Sequence, residues 1–161
     1  MGNKEDFFNA IRNGDVETTA KFLESDKALL ETKDERGSTP LILATYYDHG
    51  SITALLLEKG ANIDAQDGSG NTALMGVCFK GFAKLAELLL KAGADVNHIN
   101  AMGATCLIYA ATFNRIEIAQ LLLEHKADVS IKDARGNTAL DHAKMQGIKP
   151  LIELLQQSQK P

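Results

Sequence analysis

The side chains best equipped for chemistry here are four histidines and two cysteines, in a chain of 161 residues. A helical metal site needs ligands three or four residues apart, so that both reach one side of the helix. His49, His98, His125 and His142 include no such pair, and they read as surface or interface histidines. The stretch "DGSGN" at 67–71 has the glycines of a phosphate loop and the acid of a calcium loop. It opens no long helix after a strand, as a dinucleotide loop does. The alternate positions after Asp64 are Gln66 and Gly68, which breaks the calcium-loop spacing. Acids and hydroxyls are plentiful, but no nucleophile, base and orienting group recur in one arrangement. The residues therefore predict a chain that is not an enzyme and that needs no metal or cofactor.

Bulk composition narrows the class further. Hydrophobic residues make up 45% and charged residues 24%, ordinary for a globular domain and too apolar for a disordered chain. A net charge of −4 argues against nucleic acid as a partner. Two cysteines, Cys78 and Cys106, point to a reducing compartment. The N-terminal stretch "MGNKEDFFNAIRNGD" lacks the apolar run of a signal peptide, and Asp6 stands where a myristoylation signal after Gly2 has Ser or Thr. Apolar runs such as "ALLL" at 54–57 are too short to span a bilayer. A soluble cytoplasmic protein, without a membrane segment, is expected.

The elements that position any site follow from an internal repeat. Gly37, Gly70, Gly103 and Gly136 recur every 33 residues without a gap. So do Thr39, Thr72, Thr105 and Thr138, and Leu41, Leu74, Leu107 and Leu140. Turn residues around the fixed Gly predict a tight turn, and the Thr then caps a short helix. In the first such helix Pro40 takes the first position, where its missing N–H costs nothing. Asp48, Gly81, Asn114 and Gly147, the types that best adopt a left-handed conformation, are expected to end these helices. A second helix carries the leucine triplets 55–57, 88–90 and 121–123. Gly60 and Gly93 close it, whereas Lys126 predicts a strained or altered end in the next copy.

These units resemble ankyrin repeats. The resemblance rests on "GSTPLILA" at 37–44, "GNTAL" at 70–74 and 136–140, and "LLLKAGADVN" at 88–97. "LLLEKGANID" at 55–64 and "LLLEHKADVS" at 121–130 are looser copies. Residues 5–33 read as a degenerate first unit, so the repeats run over about 5–33, 34–66, 67–99, 100–132 and 133–157 of one domain. The resemblance implies an all-α solenoid of helix pairs, with β-turn fingers projecting from one edge. One such unit cannot bury its leucines alone, but stacked neighbours share a continuous core. Asp141, His142, Lys144 and Lys149, with the tail "QQSQKP", suggest a polar outer face that completes and caps the stack. Cys78 and Cys106 fall in different units, and their separation along the axis predicts two unconnected thiols. The family motif Thr-Pro-Leu-His uses its His to tie neighbouring turns. Ile42, Met75, Ile108 and Asp141 stand in that slot here, so the tie is expected to be missing.

The concave face of an ankyrin-like stack grips partners with fingertips and first-helix ends. Tyr46, Tyr47, Phe79 and Phe113 fall at those helix ends in three successive units. The chain has only three tyrosines and six phenylalanines, so four rings at one repeat position are a concentration. Tyr109, in the same helix as Phe113, reads as packing between units. Arg36, Met102 and Arg135 lie at the fingers and flank the row. Aromatic and Arg side chains dominate interface hot spots, which makes these seven residues the predicted protein-binding stripe. The alternative is that the rings only pack on adjacent fingers and steady the curvature. The expected function is a monomeric, non-catalytic adaptor, inhibitor or regulatory subunit that binds another protein. Nucleic-acid or small-molecule binding, or a non-catalytic subunit of an enzyme, stand as alternatives, and a designed repeat fits the irregular positions less well.

Overall fold

A computed structural model describes residues 3–159; Gly2, and Lys160 and Pro161 of the polar tail, lie outside them. Ten α-helices and one 3-10 turn make up the regular structure, with no strand among the described residues. The helices come in pairs: α1 Asn3–Arg12 with α2 Val16–Ser25, α3 Pro40–Tyr46 with α4 Gly50–Glu58, and α5 Ala73–Lys80 with α6 Ala83–Lys91. They continue as α7 Cys106–Thr112 with α8 Ile116–Glu124, and α9 Ala139–Gln146 with α10 Lys149–Ser158. The 3-10 turn Lys27–Glu31 follows α2 in the first unit, and the extra residue of that unit falls within α2, which has 10 residues where α4, α6 and α8 have 9.

The repeated Thr does what its spacing predicts. Thr39, Thr72, Thr105 and Thr138 accept through their hydroxyls from the backbone N–H groups of Ile42, Met75, Ile108 and Asp141 at 3.1–3.3 Å. In the last pair Asp141 also accepts from the Thr138 N–H at 2.9 Å, closing a capping box. Helix ends turn through the left-handed region at Asp48, Gly81, Asn114 and Gly147. At Lys126, where a strained or altered end is expected, the end is strained and not altered. Lys126 keeps the same closure as Gly60 and Gly93, with φ +71, and so holds a Cβ where its counterparts have none.

Each finger is knit by its first residue. Asp34, Asp67, Asn100 and Asp133 each accept two backbone N–H groups of their own turn through Oδ1, at 2.9–3.0 Å. Fingers pack close enough that the fixed glycine is required. A Cβ at Gly103, where φ is +75, would lie 2.8 Å from the Ala134 nitrogen.

The first helices stack on one another, α1 on α3, α3 on α5, α5 on α7 and α7 on α9, with the second helices behind them. Leu56, Leu89 and Leu122 are fully buried between the layers. Phe7 seals the first pair, edge-on to both Phe8 and Phe22. In the last pair Lys144 and Lys149 are exposed, but Asp141 and His142 are half-buried and turned to local bonds, so the polar outer face is narrower than the composition suggests.

Losing the family His does not leave the turns untied. Met75 and Ile108 are buried in that slot, and other atoms bridge the fingers. The Ala101 N–H donates to the Ser69 carbonyl and the Ala134 N–H to the Met102 carbonyl, both at 3.1 Å. Asn100 Nδ2 donates to Asn71 Oδ1 at 2.8 Å, and His98 Nε2 donates to the Gly70 carbonyl at 2.9 Å. The network predicted to be absent is replaced rather than lost.

Candidate protein-binding groove

Tyr46 closes α3, Tyr47 caps it, Phe79 sits in the last turn of α5, and Phe113 caps α7. All four rings are exposed, between 38% and 47%. They form two edge-to-face pairs. Tyr46 and Tyr47 have centroids 5.3 Å apart at 80°, and Phe79 and Phe113 lie 4.7 Å apart at 85°. The Lys80 ammonium lies 4.4 Å above the Tyr46 ring, so a cation already uses one face of the row.

A concave cavity of about 1120 Å³ runs beneath these rings. Its walls include all four of them and Arg36, together with Phe8, Asp67, Gly76 and Tyr109. Met102 is 68% exposed on its finger and lies outside the cavity, as does the exposed Arg135. Five of the seven residues singled out from sequence thus share one surface.

Three features were not singled out. Tyr109 does pack between units, its hydroxyl accepting from Asn100 Nδ2 at 2.8 Å, yet its ring also lines the groove. Burial pushes the Tyr109 hydroxyl pKa up, the Asn100 hydrogen bond opposes this, and Asp67 nearby adds to it. Asp67 and Gly76 line the same cavity, and the signal for them lay in the register. Positions 43, 76, 109 and 142 correspond, and they hold Leu, Gly, Tyr and His.

Three of the first-helix ends, those of α1, α5 and α7, are bonded to the next unit. Arg115 Nη2 donates to the Phe79 carbonyl at 3.0 Å, and Gln146 Nε2 donates to the Thr112 carbonyl. His49 Nε2 donates to the Arg12 carbonyl at 2.9 Å. These bonds use carbonyls that helix ends leave open, and they hold the groove wall in place. Arg12 is further held beside Asp34 at 3.6 Å.

Cys78 and Cys106 are both fully buried and free. The two thiols are unconnected, as expected, but their separation along the axis is small, because α5 and α7 are direct neighbours in the stack. Burial first, and then Cys106, push the Cys78 thiol well above its ordinary value. Among the described residues no group of three or more His, Cys, Asp or Glu is placed to hold a metal ion. Among the same residues no helix is long and apolar enough to cross a membrane.

Stacked helix pairs with projecting turns define an all-α repeat solenoid. The family model described as "Ankyrin repeats (3 copies)" matches residues 7–100, 55–133 and 74–160. The chain belongs to the ankyrin repeat family. Domains of this family are generally protein–protein interaction modules and typically non-catalytic. No curated protein matches the sequence.

Proposed function

We propose that this chain is a monomeric, non-catalytic binding module of the cytoplasm that grips a protein partner in its concave groove, as an adaptor, inhibitor or regulatory subunit. The observation that carries this reading is the row of four exposed rings, Tyr46, Tyr47, Phe79 and Phe113, along one cavity wall. A contiguous apolar row in a concavity is the kind of surface that partners cover. Arg36 borders the row, and Met102 and Arg135 extend the contact along the fingers. The mechanism is presentation of a preformed surface, which reduces the ordering cost of association. Carbonyl bonds from Arg115 and Gln146 supply that rigidity.

The test is affinity capture from native lysate with mass spectrometry. Wild type is compared with the Tyr46→Ala, Tyr47→Ala, Phe113→Ala triple variant, shown to be folded by circular dichroism. A partner retained by the wild type alone supports the groove. The same partner bound by both forms overturns it.

A further inference from the structure

The four finger-opening residues differ in what their second side-chain atom does. Asp34 Oδ2 lies 3.6 Å from Arg12. Asn100 Nδ2 donates to Asn71 Oδ1 and to the Tyr109 hydroxyl, both at 2.8 Å. Asp133 Oδ2 accepts from His142 Nε2 at 2.7 Å. In the last two units one partner is thus a ring nine residues further on, at the same repeat position.

Asp67 breaks this series. Its Oδ1 accepts from Ser69 and Asn71, while its Oδ2 has no hydrogen-bond or ion-pair partner among the described residues. Nine residues on stands Gly76, where a Cβ would meet nothing within 4 Å. The side chain that fills this place in the next two units is missing, and Asp67 lines the groove together with Phe79, Tyr109 and Phe113.

We propose that an arginine of the protein partner takes this vacant place, its guanidinium donating to Asp67 Oδ2 and lying against the surrounding rings. The inference rests on the reading that the groove binds a protein. An ionised carboxylate only accepts, so it selects a donor, and a cation gains more than a neutral group. Aromatic faces favour a cation too, as Lys80 over Tyr46 shows. A planar guanidinium can stack on a ring and donate to a carboxylate at once, which a compact ammonium cannot. Of the arginines nearby, Arg12 is engaged with Asp34 and Arg115 with the Phe79 carbonyl, and Arg36, which also lines the groove, forms no ion pair with Asp67 among the described residues. The net charge of −4 also favours a basic segment over an acidic one.

The test is selection of phage-displayed random linear peptides on the wild-type protein, with Asp67→Asn and Gly76→Leu as comparisons. Both variants use residues the repeat already holds at those positions, Asn100 and Leu43, and circular dichroism checks their folding. Arginine is expected to be enriched at one position of the selected peptides. Synthetic copies of these should bind each variant about tenfold or more weaker, and a citrulline replacement should lose as much. Arginine-free or lysine-bearing peptides, binding unchanged in the variants, tolerance of citrulline, or no enrichment would each overturn the proposal. Arginine-free peptides that the Tyr46→Ala, Tyr47→Ala, Phe113→Ala variant fails to bind would leave the groove reading standing while removing the arginine. Failure of the groove itself is read separately, from the lysate capture.

Discussion

Phe79 and Phe113 meet edge to face across a repeat boundary, with centroids 4.7 Å apart and planes at 85°. One ring belongs to α5 and the other caps α7, so the contact joins adjacent units on the groove side. Edge-to-face pairs add about 0.5–1.5 kcal/mol beyond their buried area. A double-mutant cycle of Phe79→Ala and Phe113→Ala should show a coupling of about that size in urea denaturation. Both rings are well exposed, so each single variant should cost less than the 3–5 kcal/mol or so of a buried Phe→Ala change. Zero coupling would mean that the rings touch without supporting each other.

The core should behave quite differently. Leu89 is fully buried between the helix layers, as are Leu56 and Leu122 at the same register. Leu89→Ala removes packing that the neighbours cannot refill and should cost about 2–5 kcal/mol. The midpoint of urea unfolding reads this directly. A cost below about 1 kcal/mol would show that the layers collapse around the gap.

Most of the architecture was legible because identical positions recur. Thr39 and its counterparts announce helix starts, and Gly37 and its counterparts announce fingers, through local effects that need no tertiary knowledge. The aromatic row was legible for the same reason. Contacts between units were not, because they depend on how closely the helices approach. Cys78 and Cys106 lie in separate units of sequence yet sit on neighbouring helices, close enough that Cys106 helps to raise the Cys78 pKa. Asp67 and Gly76 carry a meaning that appears only when Asn100–Tyr109 and Asp133–His142 are seen bonded. A missing side chain leaves no mark of its own in a sequence.

Lys126 offers a gain in stability. It adopts φ +71, a region that costs a non-glycine residue about 1–2 kcal/mol. Gly60 and Gly93 hold the same turn without that strain. Lys126→Gly should stabilise the fold by about 0.5–1 kcal/mol, since the added freedom of unfolded glycine offsets part of the relief. Gly93→Ala should destabilise it. Thermal unfolding of both variants would check the pair, and a lower Tm for Lys126→Gly would contradict the argument.

Acid should weaken the fourth finger through Asp133. Burial raises its carboxyl pKa, but the Asn137 N–H, the His142 ring and the Arg135 N–H together hold it below the ordinary 3.8. The unfolded chain therefore binds this proton more readily than the folded one does. The stability Asp133 contributes is complete above its unfolded value and is lost as pH falls through the lowered one. Asp133→Asn keeps an oxygen for the turn, as Asn100 does, but cannot titrate. Its urea midpoint should fall less than the wild type's between about pH 6 and pH 3. Asp15, Asp128 and Asp141 are lowered as well, so the slope should shrink without vanishing. An unchanged slope would remove Asp133 from the acid response.

The two thiols give the sharpest readout of the fold as a whole. Cys78 and Cys106 are both fully buried, and burial raises the Cys78 pKa further from the range in which a thiolate forms. Reaction with a thiol reagent needs the thiolate and needs access, and the native stack withholds both. Native protein should therefore react with an aromatic disulfide reagent at mildly alkaline pH only as fast as it opens, and both thiols should react at once in denaturant. Because Cys78 belongs to α5 and Cys106 to α7, exposure of the pair requires two neighbouring units to part. Leu89→Ala, which loosens α6 behind them, should speed the labelling in proportion to its loss of stability. Rapid labelling of the native wild type would show that these helices separate far more readily than their packing implies.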